Sequence, residues 1–262
     1  MADRLKPENK EIVERIRIFE KELFKEQKFK VYRNYHVPEN FVKKAKKVLS
    51  FGVGGDANFE KLICFDNLDL DVRLYDPTPY TIKNIKQIIE KGGYRQFNEI
   101  PNANLLNQQI IKNNLKFMPL AYAPNNGKMK FYYKTEPGAK KPEQALGSFS
   151  LAGAFDNPDN FVEVECKNIQ TILTDLNWNN VDILKTDVEG LWYDVGLELQ
   201  NIDCKFWVSE MELGLGGSFD ESFDKIRKLC EIHRDKYNFY VNRKRLKAMM
   251  EVIFFRKDCD ES

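Results

Sequence analysis

Val48-Leu49-Ser50-Phe51-Gly52-Val53-Gly54-Gly55-Asp56 joins a short apolar strand to a glycine turn, and Phe59, Leu62 and Ile63 follow on one helical face. Glycines at such a turn remove the side chains that would hold the backbone away from a bound cofactor. Val72-Arg73-Leu74-Tyr75-Asp76 reads as the next strand. Its terminal acid is placed to accept hydrogen bonds from ribose hydroxyls. Thr78 then caps a helix with Pro79 at its first position, Ile82, Ile85, Ile88 and Ile89 as a buried stripe, and Gly92 as its stop. This succession predicts an α/β nucleotide-binding core.

The same alternation continues toward the C-terminus. Leu115 to Tyr122 reads as a third strand, which Asn125-Asn126-Gly127 turns into Lys130-Phe131-Tyr132-Tyr133. Residues 134–160, rich in Pro, Gly, Lys and Asn, read as an insertion loop. Phe161 to Glu165 is a strand, and Ile169, Ile172, Leu173 and Leu176 mark a helix. Val181 to Asp187 and Cys204 to Met211 are further strands, separated by helical patterning from a closing pair at Asn238–Asn242 and Glu251–Arg256. Phe223, Ile226, Leu229 and His233 share a helical stripe, which makes His233 a packing residue. An open, mostly parallel sheet covered on both faces accommodates all of these elements. Ahead of it lies an N-terminal helical extension, residues 1–46. Ile12, Ile16, Phe19 and Leu23 recur there at helical spacing. This helix either packs on the domain or serves as a lid, extended by Tyr32-Arg33-Asn34-Tyr35-His36.

Composition excludes several function classes. Forty-one Lys and Arg against 40 Asp and Glu give a formal charge of +1, without the basic excess of a dedicated nucleic-acid-binding surface. No apolar run approaches the length of a membrane span, and Met1 to Asn9 lacks the apolar segment of a secretion signal. Five cysteines without CxxC spacing suit a reducing compartment and suggest neither a disulfide framework nor a zinc site. The expectation is a cytoplasmic protein acting on a small molecule or glycan, with no nucleic-acid or membrane partner.

Asp56 stands in the turn just before the third fingerprint position of a dinucleotide site, which is Ala57 here. A carboxylate there repels pyrophosphate by on the order of 1–4 kcal/mol. S-adenosyl-L-methionine carries a sulfonium and an ammonium instead, so Asp56 tilts the cofactor away from NAD. A second group of acids, Asp187 and Glu189 at one strand end and Glu210 and Glu212 at the next, lies where open α/β sheets bind ligands. Such acids repel one another unless a proton, a cation or a basic substrate sits among them. Asp187, Glu189 and Glu210 are the candidate catalytic acids, and Asp187 with Glu210 could hold Mg²⁺ or Mn²⁺. Lys185 shares strand parity with Asp187 and is expected to pair with one of the acids.

Leu49-Ser50-Phe51-Gly52-Val53-Gly54-Gly55-Asp56, Tyr75-Asp76-Pro77-Thr78-Pro79 and Asp182-Ile183-Leu184-Lys185-Thr186-Asp187-Val188-Glu189-Gly190 together resemble the FkbM-type S-adenosylmethionine-dependent methyltransferases, over residues 47–257. The resemblance implies the seven-stranded class I methyltransferase fold and O-methylation of sugar or other hydroxyl groups. Its implied cofactor set is Gly52, Gly54, Asp56, Asp76, Pro77 and Ala121. Gly52 and Gly54 lie along the methionine part, Asp76 at the ribose, and the segment around Ala121 near adenine. Asp187 and Glu189 would face the reaction centre. Tyr35, His36 and Phe149, from the extension and the insertion, are the candidate acceptor residues. Ser50 departs from the class pattern, which has an acid two residues before the first glycine. Two alternatives remain beside this reading: a nicotinamide-dependent oxidoreductase, and a non-catalytic nucleotide- or partner-binding domain of the same fold.

Overall fold

A computed structural model describes residues 14–19, 29–91, 109–133, 149–150, 159–215, 217–242 and 249–260. The chain begins with a helical segment, α1 (residues 14–19), and a hairpin of β1 (Lys30–Tyr32) and β2 (Tyr35–Val37). After α2 (Glu39–Lys44) come β3 (Lys47–Phe51), α3 (Asn58–Asp66), β4 (Asp71–Tyr75), α4 (Pro79–Lys91), α5 (residues 109–113) and β5 (Leu115–Met118). Four short strands follow: β6 (Ala121–Tyr122), β7 (Gly127–Tyr133), β8 (Phe149–Ser150) and β9 (Phe161–Lys167). The remainder is α6 (Ile169–Leu176), β10 (Val181–Thr186), α7 (Trp192–Glu198), β11 (Cys204–Glu212), α8 (Phe219–His233), β12 (Tyr237–Asn242), β13 (Met249–Arg256) and α9 (Lys257–Asp260).

Seven strands form the central sheet in the order β12-β13-β11-β10-β3-β4-β5. β5, β4, β3, β10 and β11 are mutually parallel, and β13 runs antiparallel to both of its neighbours. The order reverses between β3 and β10, and their carboxyl ends open the crevice in which α/β sheets bind ligands. This is the class I methyltransferase architecture.

Each face of the sheet is sealed by one apolar cluster. On one side Leu49, Leu184 and Trp207 pack beneath Ile172 of α6, Val195 of α7 and Ile226 of α8. On the other, Val48, Ile183 and Phe206 pack against Val42 of α2, Ile63 of α3 and Ile85 of α4. Near-continuous burial of β10 and β11 is what a parallel sheet covered on both faces requires. Local signals fix the ends of the helices. Asn168 accepts the Thr171 amide at 2.8 Å, and Ser218 with Glu221 forms a reciprocal capping box.

Three features differ from the sequence reading. The strand expected from Leu115 to Tyr122 is two, because the chain leaves the central sheet after Met118. β6 instead pairs with β9 in a separate four-stranded sheet, ordered β6-β9-β7-β8. β7 and β9, read as members of the alternation, belong to that small sheet as well. The N-terminal extension contains a hairpin that the helical reading did not anticipate. Of the extension helix, Ile16 and Phe19 are buried and Phe19 stacks at 4.7 Å on Phe223 of α8, so the described turn packs on the domain. Ile12, Leu23, Gly92 and most of residues 134–160 lie outside the described residues. His233 is buried with Nε2 2.8 Å from the Gly196 carbonyl, a packing role. Among the described residues no helix is long and apolar enough to cross a membrane.

Candidate active site

A cavity of about 330 Å³ opens at the carboxyl ends of β3, β4 and β10. That volume falls within the range of small-molecule sites. Its floor is the glycine turn, and Asp76, Pro77 and Thr78 form one wall. Asp187, Val188 and Glu189 form another, the β1–β2 hairpin closes it with Arg33, Asn34 and Tyr35, and Ala121, Tyr122 and Phe131 reach in from the small sheet.

The glycine turn has backbone reasons for its sequence. Gly52 has φ +71°, and a Cβ there would lie 1.9 Å from the Asp187 carbonyl oxygen. Only a glycine lets the end of β3 cross the end of β10. Gly54 has φ +69°, but nothing lies within 4 Å of where its Cβ would be, since that position faces open space. The turn is braced from below by Lys185, whose buried Nζ donates to the Gly52 carbonyl and lies 3.4 Å from that of Phe51. Gly52→Ala combines left-handed strain with a backbone collision. It should destabilise the fold by at least about 2 kcal/mol, lowering the melting temperature by about 4–8 °C in a thermal scan.

Asp76 is buried and held in place by its neighbours. Its Oδ1 accepts the Thr78 amide at 2.9 Å and the Thr78 hydroxyl at 2.7 Å, while Oδ2 accepts the Gly54 amide at 3.1 Å. These donors hold one carboxylate between the glycine turn and the N-terminus of α4. Asp56 takes the N-terminus of α3, where Oδ1 accepts the Asn58 amide at 3.0 Å. An anionic pyrophosphate is thereby kept from that helix end. The acid missing at Ser50 is supplied from elsewhere: Glu60 on α3 reaches back, accepts the Ser50 hydroxyl and lines the cavity. Burial pushes its carboxyl upward, with Lys185 opposing.

Asp187 and Glu189 bracket the opposite wall. The Tyr35 hydroxyl donates to Asp187 Oδ2 at 2.8 Å, and Lys185 Nζ lies 4.0 Å from the same oxygen and 4.9 Å from the Tyr35 ring centre. Lys185 is therefore both a brace and an ion-pair partner. Glu189 holds φ +25°, an unusual conformation for a side-chain-bearing residue. Burial, with Asp187 beside it, raises its carboxyl to about 7.

The remaining candidates are placed differently. Glu210 does not line the cavity; it is buried behind Asp187, near Glu212. His36 also lies outside the cavity wall, with its amide and Nδ1 2.7 Å and 3.1 Å from the Glu251 carboxylate. Strand parity explains this. Tyr35 and His36 are neighbours on β2, so when Tyr35 faces Asp187, His36 points away. Phe149 falls in β8, where its backbone pairs with Tyr133, and its side chain lies outside the described residues. Sequence reading passed over Glu60 and Tyr122, which line the cavity. The helical spacing from Asp56 to Glu60 was a usable signal for the first.

Residues 16–239 match the methyltransferase FkbM domain. The chain belongs to the FkbM methyltransferase family. Among solved structures this methyltransferase is similar to the following two. One is an O-methyltransferase from Bacillus cereus in complex with SAH, with 10% identity over 97% of this chain and 94% of that one, at a TM-score of 0.42. The other is the Methanococcus jannaschii fibrillarin pre-rRNA processing protein, with 10% identity over 82% and 68%, at a TM-score of 0.44. Comparison with curated proteins found no match.

The cavity suits the methyl donor of such an enzyme. The open side of Gly54 admits a ligand against backbone, Asp76 offers a carboxylate for a ribose diol, and Glu60 and Asp56 suit an ammonium rather than a phosphate.

Proposed function

We propose that this protein is an S-adenosylmethionine-dependent O-methyltransferase acting on a hydroxyl of a sugar, glycan or related small molecule. The observation that carries the reading is the shared cavity. Its glycine turn and Asp76 lie on one side and the Asp187–Glu189 pair on the other. S-adenosylmethionine supplies an electrophilic methyl group on a sulfonium, so the protein's task is to position the acceptor and manage one proton. Gly52, Gly54, Glu60, Asp76, Pro77 and Ala121 hold the donor. The carboxylates of Asp187 and Glu189 accept the proton of the acceptor hydroxyl, because an alcohol is a poor nucleophile at neutral pH. Tyr35 fixes Asp187 through its 2.8 Å hydrogen bond and offers a ring edge to the acceptor.

An aromatic and polar rim favours a sugar-like acceptor. Arg33, Asn34, Tyr35 and Phe131 combine hydrogen-bonding groups with ring faces. The test is incubation of the protein with methyl-labelled S-adenosylmethionine and a panel of sugars, glycosides, simple alcohols, amines and carbon nucleophiles. The expected product is a labelled methyl ether, formed more weakly by Tyr35→Ala while the donor still binds. Label appearing only on nitrogen or carbon acceptors would exclude O-methylation.

A further inference from the structure

The β1–β2 hairpin closes with a two-residue turn, Arg33-Asn34, between the paired Tyr32 and Tyr35. Arg33 holds φ +63°, a left-handed conformation that such turns ordinarily assign to Gly, Asn or Asp. An arginine there is strained, and strained residues persist where their surroundings over-determine them. Three elements pin this hairpin. The Tyr32 hydroxyl donates to Asp66 of α3, the Tyr35 hydroxyl to Asp187 after β10, and the His36 amide to Glu251 of β13 at 2.7 Å. Tyr32, Tyr35 and His36 are all buried, so the turn cannot leave the cavity mouth without breaking these contacts. The Arg33 side chain itself is half-exposed and lines the cavity.

Charge assigns that side chain a partner. Among the described residues the cavity is lined by five acids, Asp56, Glu60, Asp76, Asp187 and Glu189, and by two cations, Arg33 and Lys185. Lys185 is buried and committed to the floor, where it donates to the Gly52 carbonyl and lies 4.0 Å from Asp187. Arg33 reaches Asp56 only loosely, with Nη2 3.8 Å from Oδ2. Asp56 is itself fixed by the Asn58 amide, so this contact turns Arg33 from the shared rim toward the glycine turn. A contact with one carboxylate oxygen leaves most of the five guanidinium N–H groups for another. The methyl donor ends in an α-amino acid. Its ammonium suits Glu60 and Asp56, but the same acids repel its carboxylate. We propose that Arg33 binds that α-carboxylate, which makes the hairpin turn part of the donor site. This role rests on the methyl-donor reading of the cavity.

The test is isothermal titration of the full chain with S-adenosylhomocysteine and with decarboxylated S-adenosylhomocysteine. The unmodified protein should prefer the carboxylate-bearing ligand by at least about tenfold, the low end for a hydrogen bond between charged groups. Arg33→Gly should abolish that preference, with S-adenosylhomocysteine weakened about tenfold and the decarboxylated ligand changed by less than about twofold. Glycine adopts the left-handed turn without strain, so this variant should melt no lower than the unmodified protein. A weaker ligand on an equally stable fold separates binding from a merely structural role. Arg33→Lys, which keeps the charge but not the planar fork, should recover part of the loss. No preference in the unmodified chain, equal losses for both ligands in Arg33→Gly, or no loss for either would overturn the role of Arg33 while keeping the donor reading. An unmodified chain that binds neither ligand would overturn both.

Discussion

S-adenosylhomocysteine at 100-fold its Kd is expected to raise the melting temperature by about 5–10 °C. A ligand at that excess adds roughly 2.7 kcal/mol to folding stability, and a chain of this size gains about 2–4 °C per kcal/mol. NAD(H) should give no shift, because Asp56 occupies the end of α3 where a pyrophosphate would sit. Asp76→Ala should remove most of the S-adenosylhomocysteine effect. Its carboxylate is the group tied to both Gly54 and Thr78, so its loss also loosens the turn beneath the ligand. Differential scanning fluorimetry of the two proteins with the two ligands is sufficient. A shift with NADH alone would restore the oxidoreductase reading.

The largest kinetic effect is expected at Asp187. Asp187→Asn keeps the shape of the side chain but removes its charge and its capacity to accept a proton. Turnover should fall by at least ~10²-fold, the low end for a positioned acid–base group. The melting shift with S-adenosylhomocysteine should survive, since no described hydrogen bond of Asp187 runs to Asp76 or to the turn amides. Tyr35→Phe removes the hydroxyl that orients Asp187 and should cost less, about 10-fold, the low end for a hydrogen bond to a charged group. Turnover with a responsive acceptor, measured beside the ligand-induced melting shift, separates chemistry from binding. If Asp187→Asn retains near-full turnover, the proton is taken elsewhere, with Glu189 the next group to test.

The parts of this fold that were legible in the sequence are those where one local rule has a single outcome. The strand–glycine–helix unit at Val48–Ile63 and the Thr78-Pro79 helix start follow from turn chemistry and apolar spacing, and the structure places both as read. The split at Met118 was not legible, because Leu115–Tyr122 carries strand composition throughout. Only pairing partners decide that Ala121 and Tyr122 join β9 rather than β4. In the site, Asp76 and Asp187 were readable because they end strands. Glu60 was signalled only by its helical spacing from Asp56, since its contact with Ser50 depends on α3 folding back over that residue. Glu212 read as one of the acids at the ligand-binding strand ends, yet β13 and the Gly190 turn enclose it. His36 lies outside the cavity wall through parity alone, one step along β2 from Tyr35.

The claim that this cavity is the methyl-donor site is tested most directly by a crystal structure of the full chain with S-adenosylhomocysteine. The ribose hydroxyls should lie on Asp76, the amino-acid end along Gly52–Gly54 near Glu60, and the sulfur should face Asp187 and Glu189. A ligand bound away from the glycine turn, or one whose sulfur points away from the Asp187–Glu189 wall, would contradict it.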